Sequence, residues 1–394
     1  MIKSTEIKDL SLQMSAFAVL RTLHALPLFR AFFDYARAAE GTEEKLSAYG
    51  AFVSEIYAGG GDLAHCVKRA LFSDENVYVR TVGAGLPVSA GMQKTAQKEL
   101  AVLSRFASLT SAAFAADLGT NAFLPAFETG RVDLLAEYEE RIRNIGQYGY
   151  GIFAENAMFM VGEGGEILPI ESPDGTTLDR FVGYEKQREK VLANTEAFLA
   201  GRPAANALLY GDAGTGKSST VKAVVNHFFD RGLRLIEIRK NQLLLLPKVM
   251  GAISKNPLKF ILFIDDLSFN QSDDQFSMLK AMLEGSACAR AGNAVIYATS
   301  NRRHIVRETF SDREGDEIHK NDTVQETLSL SERFGLTVLF ARPEKKLYLE
   351  IVESLARRHG LLTDESFFTR AEEFALRRGY RSARCAEQFV ESLL

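Results

Sequence analysis

Eight consecutive residues constrain this chain more than any others: Gly211-Asp212-Ala213-Gly214-Thr215-Gly216-Lys217-Ser218. The spacing G-x-x-x-x-G-K-S is that of a phosphate cradle, the Walker A loop. Gly211, Gly214 and Gly216 allow the open, partly left-handed path that turns successive N–H groups towards one anion. Lys217 brings a charge able to reach β- and γ-phosphates, and the Ser218 hydroxyl is a ligand type suited to Mg²⁺. The flanks fit. Ala207–Tyr210 is a short apolar run of the kind that forms a buried strand. From Ser219 to Phe229, apolar Val221, Val224, Val225, Phe228 and Phe229 recur at helical spacing. A phosphate would sit at a helix N-terminus, with Asp212, Ala213, Thr215 and Ser219 completing its surroundings. Strand, loop and helix in that order require an α/β fold.

The chain beyond the loop fits that requirement. Apolar runs at Arg234–Ile238, Phe260–Ile264, Ala294–Ala298 and Thr337–Phe340 alternate with helical or loop stretches, predicting a parallel sheet covered on both faces. Beyond Pro343 only helices are expected: Lys345–His359, Glu365–Arg378 and Ser382–Leu394. The run Phe260–Ile264 ends in Asp265-Asp266, forty-eight residues after Lys217 to the first carboxylate. This is a Walker B pattern: Asp265 can bind Mg²⁺ directly or through water, and Asp266 can polarise an attacking water. Asn301 ends the next strand as a polar amide beside these carboxylates.

Residues 1–146 read as helical, with segments such as Ser11–Tyr35, Glu43–Ala58, Val88–Leu118 and Val132–Ile145 and glycine-rich breaks at Gly59–Gly61 and Gly83–Gly85. They carry no metal cluster or nucleophile–base pair, and His24 and His65 read as structural. Residues 147–177 read as a β-hairpin or linker, 178–342 as the nucleotide-binding domain and 343–394 as a helical lid. A net charge of −4 gives no global attraction to nucleic acid or anionic membrane. Cys66, Cys288 and Cys385 form no CxxC pair and read as small buried hydrophobes. No apolar run reaches the length of a membrane span, and the polar start does not read as a signal peptide, so the cytoplasm is the expected compartment.

Taken together, the ordered motifs resemble the AAA+ ATPases. Phe181-Val182-Gly183-Tyr184-Glu185 is similar to the segment that lines the adenine in that family, so Val182 and Gly183 are expected cofactor contacts. Asn301 then corresponds to sensor 1, Arg333 in Leu330–Gly335 to the arginine finger and Arg384 to sensor 2. The strings Ala205–Gly211, Asp265–Phe269, Ile296–His304 and Leu330–Gly335 resemble more closely a bacterial family of AAA+ ATP-binding proteins that carries a domain of unknown function. The resemblance implies a P-loop NTPase sheet with a C-terminal helical lid, ATP and Mg²⁺ as cofactors, ADP as product and a homo-oligomer, ring or transient, in which Arg333 completes a neighbour's site.

Two positions depart from the AAA+ pattern. The second Walker B acid, usually Glu, is Asp266, whose shorter carboxylate implies slow turnover. Arg239–Met250 lacks the aromatic pore-loop residue of substrate-threading relatives. Its Leu243–Leu246 run reads as core helix or as a partner-binding face. Three roles follow: remodelling of a protein assembly, a nucleic-acid-linked loader using Arg302-Arg303-His304, or an ATP-gated binding switch. Acidic residues interleaved with the arginines disfavour the second.

Overall fold

Apolar residues three and four apart make the described part of residues 1–155 mostly helical in the computed structural model, which describes residues 5–119, 123–267, 274–284, 292–301 and 333–394. The helices are α1 (Thr5–Ser15), α2 (Pro27–Arg37), α3 (Glu43–Ala58), α4 (Leu63–Ser73), α5 (Val77–Gly83), α6 (Ala90–Ala107), α7 (Ser111–Leu118), α8 (Leu134–Arg143) and α9 (Ile145–Tyr148). Their starts are written locally: Thr42, Asp62, Asn76, Ser89, Thr110 and Asp133 each accept a backbone N–H three residues on.

Two stretches expected to be continuous are divided. Ser11–Tyr35 breaks after Ser15 and restarts where Pro27 takes the first helical turn. Between the two helices, the N–H groups of Ala18, Val19 and Leu20 donate to the buried Glu99 carboxylate. That partner lies about 80 residues away and offers no local signal. Val88–Leu118 divides at the Thr110 cap. The core of this unit is aromatic: Phe29, Phe32, Phe52, Phe106 and Phe114 are fully buried, with Phe32 and Phe106 ring centroids 4.5 Å apart.

The second compact unit is Asn156–Leu394. Its strands are β1 (Met158–Val161), β2 (Ile167–Pro169), β3 (Ala207–Gly211), β4 (Leu233–Glu237), β5 (Lys259–Ile264), β6 (Ala294–Ser300) and β7 (Leu336–Phe340). They form one sheet in the order β2-β1-β4-β5-β6-β3-β7. All neighbours are parallel except β1 and β2. The hairpin β1–β2 is an extension of the sheet, because β1 pairs with β4. Residues 147–155 lie with the first unit.

Five consecutive β5 residues, Phe260–Ile264, are fully buried, as a central strand covered on both faces requires. The covering helices are α10 (Glu185–Leu199), α11 (Lys217–His227), α12 (Leu246–Ile253) and α13 (Asp274–Glu284). The leucine run after β4 is half core: Leu243 and Leu246 are fully buried, Leu245 is half-buried and Leu244 is exposed. The chain ends in α14 (Lys345–Arg358), α15 (Glu365–Arg378) and α16 (Ala383–Glu391), packed on their own core of Tyr348, Ile351, Val352, Phe367 and Phe389. This is the expected P-loop NTPase sheet with a C-terminal helical lid and a mostly helical N-terminal unit. Cys66 and Cys385 are buried, and Cys288 lies outside the described residues. Among the described residues, no helix is long and apolar enough to cross a membrane.

Candidate functional site

Parallel pairing of β3 and β5 with β6 brings Gly211, Asp265 and Asn301 out at one edge of the sheet. β6 lies between the strand that carries the glycine loop and the strand that carries the two aspartates. The loop leaves β3 through Gly211 at φ +135°. A Cβ there would lie 2.1 Å from the Phe340 carbonyl oxygen of β7, so only glycine fits. At Gly214, φ +72°, a Cβ would press on Arg384 and Ser382 of the lid at 3.0 Å. α11 begins directly after, at Lys217.

Around this edge the polar side chains form a continuous chain of hydrogen bonds. The Lys217 ammonium donates to the carbonyls of Gly211 at 3.0 Å and Asp212 at 2.7 Å, and to Asn301 Oδ1 at 3.0 Å. Asn301 Nδ2 donates to Asp266 Oδ1 at 2.7 Å. The Asp266 N–H donates to Thr299 Oγ1 at 2.9 Å. The Thr299 hydroxyl donates in turn to Asp265 Oδ1. Ser218 Oγ donates to the same oxygen at 2.6 Å, which returns the chain to the residue beside Lys217. Asp266 is held with φ at +50°, in the left-handed region that a non-glycine residue seldom adopts. Burial pushes the Lys217 ammonium below the usual lysine range, while Asp212, Asp265 and Asp266 pull the other way.

The lid closes on this edge. Ser382 caps α16 by accepting the Cys385 N–H at 3.1 Å, and the Arg384 N–H donates to the Gly214 carbonyl at 3.2 Å. Between lid and loop lies a cavity of about 620 Å³. Val182, Gly214, Thr215, Gly216, Ser219 and Arg384, all named from the sequence, line it. Gly183 backs onto Leu347 of α14. Sequence reading missed the lid side of the cavity, Ile351, Leu355, Arg358 and His359, because nothing in a helix of ordinary composition marks which face a cleft will use. It also missed Asp212 as a strut. Its Oδ2 accepts the Arg342 N–H at 3.0 Å, and its Oδ1 lies 3.5 Å from the Arg342 guanidinium, which ties the loop to the start of the lid. Ala213 is exposed at the loop tip.

Arg333 stands apart. It precedes β7 and lines a second cavity together with Ala205 and Asn206, before β3, and Ile296 of β6. That is the opposite end of the strands from the glycine loop, about 15 Å away along a five-residue strand. The structure therefore brings together the two aspartates, Asn301 and the loop, and places Arg384 beside them, but not Arg333. The residues Arg302-Arg303-His304, Ser268-Phe269 and Ser331-Glu332 lie outside the described residues.

The cradle fits a triphosphate with a divalent cation on chemistry and on space. It combines a backbone path that tolerates no side chain at Gly211, one ammonium, one serine hydroxyl and two carboxylates. A sheet with the aspartate strand set off from the loop strand by β6, followed by a helical lid, is the AAA+ arrangement.

No curated protein matches the chain. Among solved structures it is similar to the Thermotoga maritima RuvB Holliday junction branch migration motor, with 14% identity and a TM-score of 0.33 over 55% of this chain and 72% of that one. A mutant of the same protein matches over the same shares with 17% identity and a TM-score of 0.34. Residues 154–394 match a family described as "Protein of unknown function (DUF815)". With well over half of its length inside that match, the chain belongs to this family and carries its AAA+ fold.

Proposed function

We propose that this protein is an ATPase that binds ATP with Mg²⁺ between its α/β domain and its lid, hydrolyses it slowly, and couples nucleotide state to remodelling of a protein partner or assembly. The observation that supports this reading most is the chain of hydrogen bonds joining Lys217, Asn301, Asp266, Asp265 and Ser218 around a loop that only glycine can form. Mg²⁺ supplies charge neutralisation at the phosphates when bound. Ser218 and Asp265 are its ligands, and Lys217 exchanges carbonyl partners for phosphate oxygens. Asp266 and Asn301 orient water, Arg384 meets the phosphates from the lid, and Val182 and Gly183 border the base. Arg333 lies too far from this loop to act on it, and in this reading it serves the loop of a neighbouring copy.

Calorimetry on Lys217→Ala tests the site. Loss of its charge-assisted contact weakens ATP binding by about 2–4 kcal/mol. Unchanged affinity in a folded variant removes the loop from the function. A mixing assay tests the neighbour. Arg333→Ala and Asp266→Asn, each poor at turnover, regain activity together if one interface pairs an intact acid with an intact arginine. Activity per molecule that ignores concentration, with no recovery on mixing, makes Arg333 a local structural residue.

A further inference from the structure

We infer that Thr299 is a positioning residue for hydrolysis, a hydroxyl that locks the two Walker B aspartates into one geometry. The inference rests on the site reading above. Thr299 lies on β6 two residues before Asn301, so strand alternation gives both side chains to the same face. The β5–β6 register pairs Ile264 with Ala298, which sets Asp265 opposite Thr299. The Thr299 side chain is buried, 2% exposed. Its one oxygen serves both aspartates: it accepts the Asp266 N–H at 2.9 Å and donates to Asp265 Oδ1. Its carbonyl accepts the Leu267 N–H at 2.7 Å, and Ser300 Oγ donates to the Leu267 carbonyl at 2.9 Å. The segment leaving β5 is thus stapled to β6 by four hydrogen bonds.

This staple offsets a local cost. Asp266 holds a left-handed backbone, which a non-glycine residue keeps only when its surroundings over-determine it. Asp266 also has a shorter reach than Glu, so its carboxylate depends more on where the backbone stands. Rotating the Asp266 peptide moves the carboxylate away from Asn301. The donation from Thr299 occupies Asp265 Oδ1 together with Ser218, which orients the carboxylate towards the loop. With its side chain buried, Thr299 acts through the two acids.

The test compares Thr299→Val, which keeps shape and removes the hydroxyl, with Thr299→Ser, which keeps the hydroxyl. Binding of a non-hydrolysable ATP analogue is titrated by calorimetry with Mg²⁺ and with chelator, and turnover is measured against Mg²⁺ concentration. In chelator the valine protein binds the analogue as the wild type does. It loses about tenfold in the affinity gained from Mg²⁺ and about 100-fold in turnover, the scale expected for a small misplacement of reacting groups. Serine restores both. Thr299→Ala, which puts no methyl against the Asp266 amide, repeats the test if the valine protein fails to fold. Wild-type Mg²⁺ dependence and turnover in the valine or alanine protein overturn the inference. So does a serine protein as impaired as the valine one, because packing and not the hydroxyl would then matter. A wild-type protein that binds no analogue in chelator or in Mg²⁺ overturns the site reading itself, and the inference with it.

Discussion

Among the described residues each compact unit buries one lysine, and the two are held in opposite ways. Lys45 in α3 is 2% exposed and pairs with the Asp117 carboxylate of α7 at 2.7 Å, with its ammonium 5.1 Å from the centre of the Tyr35 ring. Tyr35 donates to the same carboxylate at 2.6 Å. Lys217 is 6% exposed; its hydrogen bonds go to neutral oxygens, two carbonyls and an amide, and the carboxylates of Asp212, Asp265 and Asp266 act on it only at longer range. A buried charge with a buried counter-charge is committed to the fold, and removing either partner strands the other. A buried charge held by neutral dipoles is under-compensated and can gain from an incoming anion. Burial alone therefore does not mark function. The kind of partner does.

The largest effect expected from this contrast is on Lys45. Lys45→Met leaves the Asp117 carboxylate buried without its counter-ion, and one of its oxygens, Oδ1, already lacks a partner. The loss should be about 3–5 kcal/mol in urea unfolding. The double variant Lys45→Met with Asp117→Leu removes both charges and should recover most of that loss. A mild Lys45→Met would mean that the pair is dispensable and the comparison with Lys217 empty.

A smaller effect on folding is expected at Lys217. Lys217→Ala gives up three hydrogen bonds but also the burial of an ammonium, so stability should shift by roughly 1 kcal/mol. The same variant should lose ATP affinity if the proposed site holds ATP, and the two lysines then separate cleanly by readout. Collapse of Lys217→Ala in urea would make the loop lysine structural as well.

The difference in legibility between these lysines has a physical cause. Lys217 is readable because a phosphate loop needs its glycines, lysine and serine contiguous. The strands around it are readable because burial on both faces forces apolar runs, as in Phe260–Ile264. Lys45 follows Glu43 and Glu44 and reads as an ordinary solvated helix start. Only the folded chain brings Asp117 to it. Glu99, which breaks the helix between α1 and α2, is hidden for the same reason. Thr299 is intermediate: alternation from Asn301 marks its face, but the register with β5 is needed to see that it meets Asp265. Arg342 and the lid residues of the cavity carry no pattern, because their roles arise from where a helix bundle happens to dock.

The smallest effect is one of pH, and it sharpens the same contrast. Burial, the leading cause, lowers the affinity of Lys217 for its proton from the ordinary lysine value of 10.5. The folded chain thus holds this proton less tightly than the unfolded chain. Between the folded value and 10.5 the unfolded state carries more of it, so this group makes stability rise with pH across that interval. Below the interval both states are protonated and the penalty is constant. Other groups titrate nearby: burial lowers Lys259 in the same sense, whereas Tyr184, pushed up to about 12, makes stability fall above pH 10. The difference between wild type and Lys217→Met removes these shared terms, and the wild type should gain on the variant as pH climbs towards 10.5. A flat difference would mean that three neutral oxygens hold the ammonium as well as water does. Phosphate should reverse the sign, because a bound anion favours the charged lysine. ATP binding within that interval should then take up a proton, read as a dependence of the calorimetric heat on the ionisation enthalpy of the buffer. Binding without proton uptake would show that Lys217 is already fully charged before the nucleotide arrives.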